Sequence, residues 1–138
     1  MSARRRAFLI GAVLVAGAFW LRGPVFPSRT PRLPGGRPIR VEVLNGSTVP
    51  KAGLGLAESL RAKGFDVVTI DNAERSDYAE TLVLDRVGEM KYASAVAREL
   101  GTEPSYLQKN PDLLLEVTVI LGTDRAEEFV PKPGEDPR

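Results

Sequence analysis

The residues with the clearest potential for binding chemistry form the run Asn45-Gly46-Ser47-Thr48, between an alternating apolar segment and a predicted helix. Backbone N–H groups at the start of a helix carry partial positive charge, so this turn could receive a phosphate or a muramyl-type carboxylate. The simpler interpretation is that Asn45 and Gly46 make the turn and that Ser47 or Thr48 caps the helix. Tyr78 is the second candidate, either as a ligand-stacking surface or as a half-buried loop anchor.

The composition argues against most catalytic chemistry. The 138-residue chain has no His and no Cys, so the usual metal sites and Ser-His or Cys-His nucleophiles cannot be built. A carboxylate pair stays open as an alternative, although a solvated charged face explains the acidic residues better. The carboxylates concerned are Asp66, Asp71, Asp77, Glu80 and Asp85. We expect no catalytic residue, no metal and no cofactor.

The candidate turn lies within a predicted β-α-β unit. Residues 39–44 alternate between apolar and polar side chains, which predicts a strand with one buried face. Pro50 suits the first turn of a helix that we expect to run to Lys63. Gly64 then ends the helix, and residues 65–70 form a second strand.

The same pattern repeats further along the chain. A strand is predicted over residues 81–84, an amphipathic helix over 89–100, and the longest strand over 113–121. In that last strand Thr118 and its alternate neighbours are expected on a wetter face of the sheet. Together the two β-α-β units predict a two-layer α/β sandwich, with the helices on one face of a mostly four-stranded sheet.

The N-terminal residues 1–22 have the pattern of a membrane anchor or signal segment. Ala7 to Leu21 is a run of fifteen apolar or glycine residues that follows three arginines. As a helix it spans only ~22 Å, against ~30 Å of hydrocarbon, so interfacial Trp20 and Arg22 would have to help. A cleaved signal peptide, cut near Ala16-Gly17-Ala18, is the alternative.

Charge and proline content divide the rest of the chain. Residues 23–38 contain five prolines and read as a Pro/Arg-rich linker, and residues 123–138 read as a disordered tail. Residues 1–38 carry seven arginines and no acid, whereas residues 39–138 carry twelve basic against eighteen acidic side chains, a net charge of −6. An acidic domain argues against nucleic-acid binding, which needs a basic face.

The domain over residues 39–122 resembles the C-terminal domain of the LytR/CpsA/Psr cell-envelope proteins. Several elements carry the resemblance in order: Val41 to Ser47, Gly64 to Val67, Asn72-Ala73 with Tyr78 and Thr81, Leu100-Gly101, and Val117 to Gly122. The family pattern usually continues from the Asn-Gly turn with a small residue and then Pro-Gly. This chain instead has Thr48-Val49-Pro50-Lys51, a departure at the candidate site.

The resemblance implies a stand-alone, membrane-anchored member without catalytic residues. Its expected place is the cell membrane, as a single-pass protein with the domain on the extracytoplasmic side. Its expected role is binding or regulation in cell-wall polymer assembly through an envelope protein partner. Direct binding of peptidoglycan or another wall polymer is the alternative, and a small carboxylate-based enzyme is a less favoured one.

Overall fold

Five strands and three helices make up the fold in the computed structural model, which describes residues 30–104 and 106–134. The strands are β1 (Arg40–Asn45), β2 (Asp66–Asn72), β3 (Leu82–Asp85), β4 (Tyr106–Leu107) and β5 (Val117–Leu121). The helices are α1 (Ala52–Ala62), α2 (Met90–Leu100) and α3 (Thr123–Ala126), with 3₁₀ turns at Pro34–Gly36, Pro111–Leu113 and Glu127–Phe129.

The strands form one mixed sheet in the order β2-β1-β5-β3-β4. β1 is parallel to both β2 and β5, β3 is parallel to β4, and β5 runs antiparallel to β3. The α/β class and the packing of helices on the sheet are confirmed. The sheet has five strands rather than four because Tyr106–Leu107 forms a two-residue edge strand, too short to show an alternating pattern.

The second β-α-β unit ends in a different strand from the one predicted. β4 follows α2 and pairs in parallel with β3, whereas β5 inserts between β1 and β3. β5 is also shorter than the predicted strand over 113–121, because a 3₁₀ turn ends at Leu113 and Leu114 adopts a left-handed φ of 53°. The longest strand is β2, with seven residues.

One hydrophobic core lies between the helices and a single face of the sheet. Val41, Val43 and Val119 are fully buried from the strands, in the alternation predicted for β1. The helices contribute small and branched side chains spaced three and four residues apart. The buried helical side chains are Ala52, Leu56, Ala57 and Leu60 from α1, and Tyr92, Ala93, Ala95, Val96, Ala97 and Leu100 from α2.

The opposite face of β5 is buried, so the expectation of a wet face there was wrong. Thr118 is 0% exposed: its hydroxyl donates to Glu42 at 2.9 Å and accepts from Arg86 at 2.9 Å. Beside it, the Arg40 guanidinium contacts the Glu116 carboxylate at 2.7 Å. Hydrogen bonds with Glu116 raise the pKa of the Arg40 guanidinium above its usual value. Long polar side chains thus cover this face in place of helices.

Residues beyond the predicted ends of the domain pack against it. Before the domain, Leu33 is 7% exposed within the core cluster, and the Thr30 hydroxyl donates to the Lys63 carbonyl at 3.2 Å. After it, α3 buries Ala126 completely where the sequence predicted a disordered tail. α3 has only four residues and buries one of them, which is too little for a periodic pattern to appear in the sequence.

The predicted anchor, Ala7 to Leu21, lies outside the described residues. Among residues 30–104 and 106–134, no helix has both the length and the apolar character needed to cross a bilayer.

Candidate functional site

The turn after β1 is held together by the side chain of Asn45. Its Oδ1 accepts hydrogen bonds from the Ser47 N–H at 3.1 Å and from the Ser47 hydroxyl at 2.8 Å. Its Nδ2 donates to the Val49 carbonyl at 2.9 Å. The Ser47 hydroxyl in turn accepts from the Val49 N–H at 3.2 Å. The Asn45 and Ser47 side chains therefore stabilise the turn from within.

Three backbone N–H groups of the turn already have hydrogen-bond acceptors. The Gly46 N–H donates to the Leu121 carbonyl at 2.9 Å, and the N–H groups of Ser47 and Val49 bond inside the turn. Those three N–H groups are therefore not available to an anion. Thr48 is exposed, whereas Ser47 is only 6% exposed, so a Ser47→Ala change alters the turn as well as its surface.

Neither Ser47 nor Thr48 caps α1. The residue before the helix is Lys51, which has a left-handed φ of 62° and makes no side-chain cap. Such a backbone conformation costs an ordinary residue roughly 1–2 kcal/mol and costs glycine almost nothing. Glycine adopts this conformation without strain, and this chain has Lys51 there, after Pro50.

Tyr78 lies directly against the turn. Its N–H donates to the Gly46 carbonyl at 3.0 Å, and its Cδ2 would lie 2.7 Å from a Cβ built on Gly46. The half-buried ring has the Arg75 guanidinium 4.7 Å from its centroid, a cation–π contact that covers one ring face. The structure thus brings all the predicted site residues together, with Tyr78 bonded to the turn as a loop anchor is.

A crevice of about 270 Å³ opens beside the turn, at the carboxyl ends of β1 and β2 and the start of α1. Its walls are Asn45, Lys51, Gly53, Leu54, Ile70, Asp71 and Asn72. In open α/β sheets, ligands bind outside the carboxyl ends of the strands. The first N–H groups of α1 also lack intrahelical acceptors at this point. The crevice therefore presents the Asn72 amide, the Lys51 ammonium group and the Asp71 carboxylate beside two apolar side chains, while the amide of Asn45 is bonded inside the turn.

The sequence analysis missed Lys51, Asp71 and Asn72 as members of this site. For Lys51 the signal was present, because a lysine replaces the usual glycine after Pro50. For Asp71 and Asn72 the signal was their place at the end of the second strand of a parallel β-α-β unit. That place brings them beside the end of the first strand.

The two buried carboxylates in the described part of the chain do not form a pair. Asp85 is 1% exposed, and its Oδ1 accepts from the Val87 and Gly88 N–H groups, each at 2.9 Å. It lies opposite Val117 on the helix-covered face. Glu116 lies on the other face, bonded to Arg40. Acid–base catalysis by two carboxylates requires the two groups to flank one bond of the substrate. Asp85 and Glu116 lie on opposite faces of the sheet and cannot flank one bond.

The chain was compared with known proteins. The comparison with curated proteins found no match. Among solved structures, the chain is similar to the "Solution Structure of the C-terminal domain of RV0431", with 24% sequence identity and a TM-score of 0.39, over 88% of this chain and 97% of that chain. A family model described as "LytR cell envelope-related transcriptional attenuator" matches residues 38–124. The match covers more than half of the chain, which therefore belongs to this family of LytR cell envelope-related attenuators.

Proposed function

We propose that the chain is an envelope module that binds a protein partner and thereby regulates the assembly of wall polymers. Residues 7–21 anchor it in the cell membrane, and residues 39–122 lie on the extracytoplasmic side. Membership of a cell envelope-related family supports this setting. The observation that carries the binding role is the crevice at the turn, with the exposed Lys51 on its wall in a left-handed conformation. The candidate binding residues are Asn45, Gly46, Ser47, Thr48 and Tyr78, to which we add Lys51.

The conformation of Lys51 is the reason for placing the contact here. Residues held in a costly backbone conformation cluster at binding and catalytic sites, where the side chain has a use. A glycine at this position would remove the strain at no cost to the turn. Lys51 therefore supports a role for its ammonium group in contacting a partner.

The chemistry of the crevice favours a protein over a wall polymer. Its volume of about 270 Å³ is near the lower limit for small-molecule pockets, and it carries both the Lys51 cation and the Asp71 anion. Residues 39–138 have a net charge of −6, which would repel an anionic polymer. A mixed pair of charges beside Leu54 and Ile70 instead suits the polar and apolar groups of a peptide segment.

Lys51→Gly separates binding from stability. We expect this variant to unfold at slightly higher denaturant concentration, by about 1 kcal/mol, because the left-handed strain is relieved. We expect it to capture less partner, because the ammonium group is lost. Leu114→Gly is the matched control. Leu114 is the other non-glycine residue with a positive φ among those described, and its side chain is 73% exposed. It lies just before the first residue of β5, whereas the crevice lies at the other end of the sheet.

Two assays on the full chain distinguish binding to a protein partner from binding to a wall polymer. Proteins crosslinked to the tagged chain in membranes are captured and identified, and the purified chain is sedimented with wall polymers. The proposal expects a specific envelope protein in the first assay and no sedimentation in the second. Sedimentation that Lys51→Gly weakens, without a captured protein, would favour the wall-polymer alternative.

The topology is tested with a reporter. A periplasmic-type or secreted reporter fused after the last residue, Arg138, should be active outside the cytoplasm, because three arginines precede the apolar run. The chain should also stay with membranes after a high-salt wash. Activity confined to the cytoplasm would reverse the proposed orientation, and a soluble product starting near Phe19 would show cleavage.

A further inference from the structure

The chain enters the domain at one end of the sheet, next to the last turn of α1. The Thr30 hydroxyl donates to the Lys63 carbonyl at 3.2 Å. The Leu33 N–H donates to the Arg37 carbonyl at 2.9 Å, and the Leu33 side chain is 7% exposed within the core cluster. Residues 30–39 are therefore fixed to the domain before β1 begins.

Strand pairing shows which other segments share this end of the sheet. Val41 pairs with Val117, and Val117 pairs with Asp85 at the last residue of β3. Asp85 also pairs with Leu107, the last residue of β4. The crevice lies at the opposite end, because the six residues of β1 separate the two by roughly 17 Å. The entry end of the molecule thus comprises residues 30–40, 63–66, 85–90 and 107–116.

Large apolar side chains are exposed at the entry end. Leu107 is 54% exposed and Leu114 is 73% exposed, while Val87 and Met90 are each 40% exposed. Lys109 is exposed beside them, and its side chain packs against Gly88. Exposed apolar groups gathered on one surface mark a contact with another macromolecule or with a membrane.

The exposed charge of the entry end is positive. Its four ranges carry six basic and five acidic side chains, whereas residues 39–138 together have a net charge of −6. Two of those acids, Asp85 and Glu116, are buried. Residues 22–29, which lead into the entry end, add two arginines and no acid. Anionic lipid headgroups attract a basic surface of this kind.

The length of the chain before Thr30 limits how far the entry end lies from the membrane. Eight peptide steps separate Arg22, which follows the proposed anchor, from Thr30. Even fully extended, a chain of this length spans at most ~28 Å. The proposed anchor therefore holds the entry end, and no other end of the domain, next to the bilayer.

We propose that the entry end lies on the anionic surface of the membrane, with Leu107 and Val87 at the level of the headgroups and Arg37 and Lys109 beside lipid phosphates. The inference rests on the proposed anchor of residues 7–21 and goes beyond the partner site at the turn. It leaves the crevice facing away from the bilayer, where an envelope protein can reach it.

Fluorescence quenching by lipids tests this contact in the full-length chain, which has no cysteine of its own. Leu107→Cys or Thr48→Cys carries a polarity-sensitive fluorophore, and Thr48 is exposed at the crevice end. The chain is reconstituted in vesicles of equimolar phosphatidylcholine and phosphatidylglycerol, some with nitroxide-labelled headgroups. We expect the nitroxides to quench the label at position 107 several-fold more strongly than the label at position 48.

A charge reversal tests the role of the basic side chains. Adding Arg37→Glu to the Leu107→Cys chain should reduce the quenching roughly twofold or more, because a carboxylate would face the anionic headgroups. Arg98→Glu is the matched control, because Arg98 lies in the last turn of α2, outside the entry end. We expect that variant to leave the quenching unchanged.

Flotation of the same vesicles distinguishes the two ways in which the proposal could fail. A chain that does not float with the vesicles would overturn the anchor and, with it, this inference. A floating chain whose labels at positions 107 and 48 are quenched equally, or not at all, would overturn this inference alone. Equal reductions by Arg37→Glu and Arg98→Glu would also overturn it.

Discussion

Val119→Asp is expected to abolish the cooperative fold of the domain. Val119 is 0% exposed, and β5 lies between β1 and β3, so the new carboxylate would enter the centre of the core. An unpaired buried charge costs several kcal/mol, which is comparable with the total stability of ~5–15 kcal/mol of a typical domain. Circular dichroism during urea and thermal unfolding measures the effect.

The matched control is Val68→Asp, which makes the same chemical change on the exposed edge of β2. We expect a loss below about 1 kcal/mol, because Val68 is 48% exposed and the new charge stays hydrated. Thr118→Asp is not a mild change, because Thr118 is fully buried and would place a carboxylate beside Glu42. Equal losses for Val119→Asp and Val68→Asp would contradict the assignment of the core face.

Gly122→Ala should have the second largest effect, about 3 kcal/mol of lost stability. A Cβ at this position would lie 2.7 Å from the Thr81 nitrogen and closer still to the Glu80 carbonyl group. These neighbours are backbone atoms of the Glu80–Thr81 peptide unit, which cannot move aside as the end of a flexible side chain could. The φ of −89° is ordinary, so the cost comes from crowding and not from backbone strain.

The same substitution should also disturb the candidate site. The Gly122 N–H donates to the Thr81 hydroxyl at 3.1 Å, and the next N–H, of Thr123, donates to the Tyr78 carbonyl at 2.8 Å. Thr123→Ala is the control, because it removes only an exposed hydroxyl contact and should cost less than about 1 kcal/mol. Similar midpoints in urea for Gly122→Ala and Thr123→Ala would contradict the close packing of β5 against residues 80–81.

The elements with a clear period were predicted within one or two residues of their observed ends, except the start of β5, which lies four residues after the predicted start at residue 113. In β1 the apolar residues alternate, and in α2 they recur every three or four positions, because each element buries one side. Such periods are visible in the sequence itself. β4 was missed because two exposed residues carry no period. The burial of the second face of β5 was missed because it depends on Arg40 of β1 and on Arg86, just after β3, whose side chains bond to Glu116 and Thr118. The pattern of one strand does not record such contacts with its neighbours.

The position of the candidate site could be predicted, but its chemistry could not. Asn45 and Gly46 marked the turn through their turn preference, and Tyr78 meets it because its backbone bonds to Gly46. The hydrogen bonds that occupy the N–H groups of Gly46, Ser47 and Val49 were not predictable from the sequence. Lys51 could be recognised as unusual only against the Pro-Gly pattern, and its left-handed φ of 62° gives that difference a physical meaning.

The most direct test of the proposed function is the amount of envelope protein captured by Lys51→Gly relative to Leu114→Gly, both as full-length chains crosslinked in membranes. Both substitutions relieve a left-handed conformation, and only Lys51 lines the crevice. The account predicts that Leu114→Gly captures the same partner as the unmodified chain, whereas Lys51→Gly captures several-fold less while remaining at least as stable. Equal capture of the partner by both variants would contradict a binding site at the Asn45 turn.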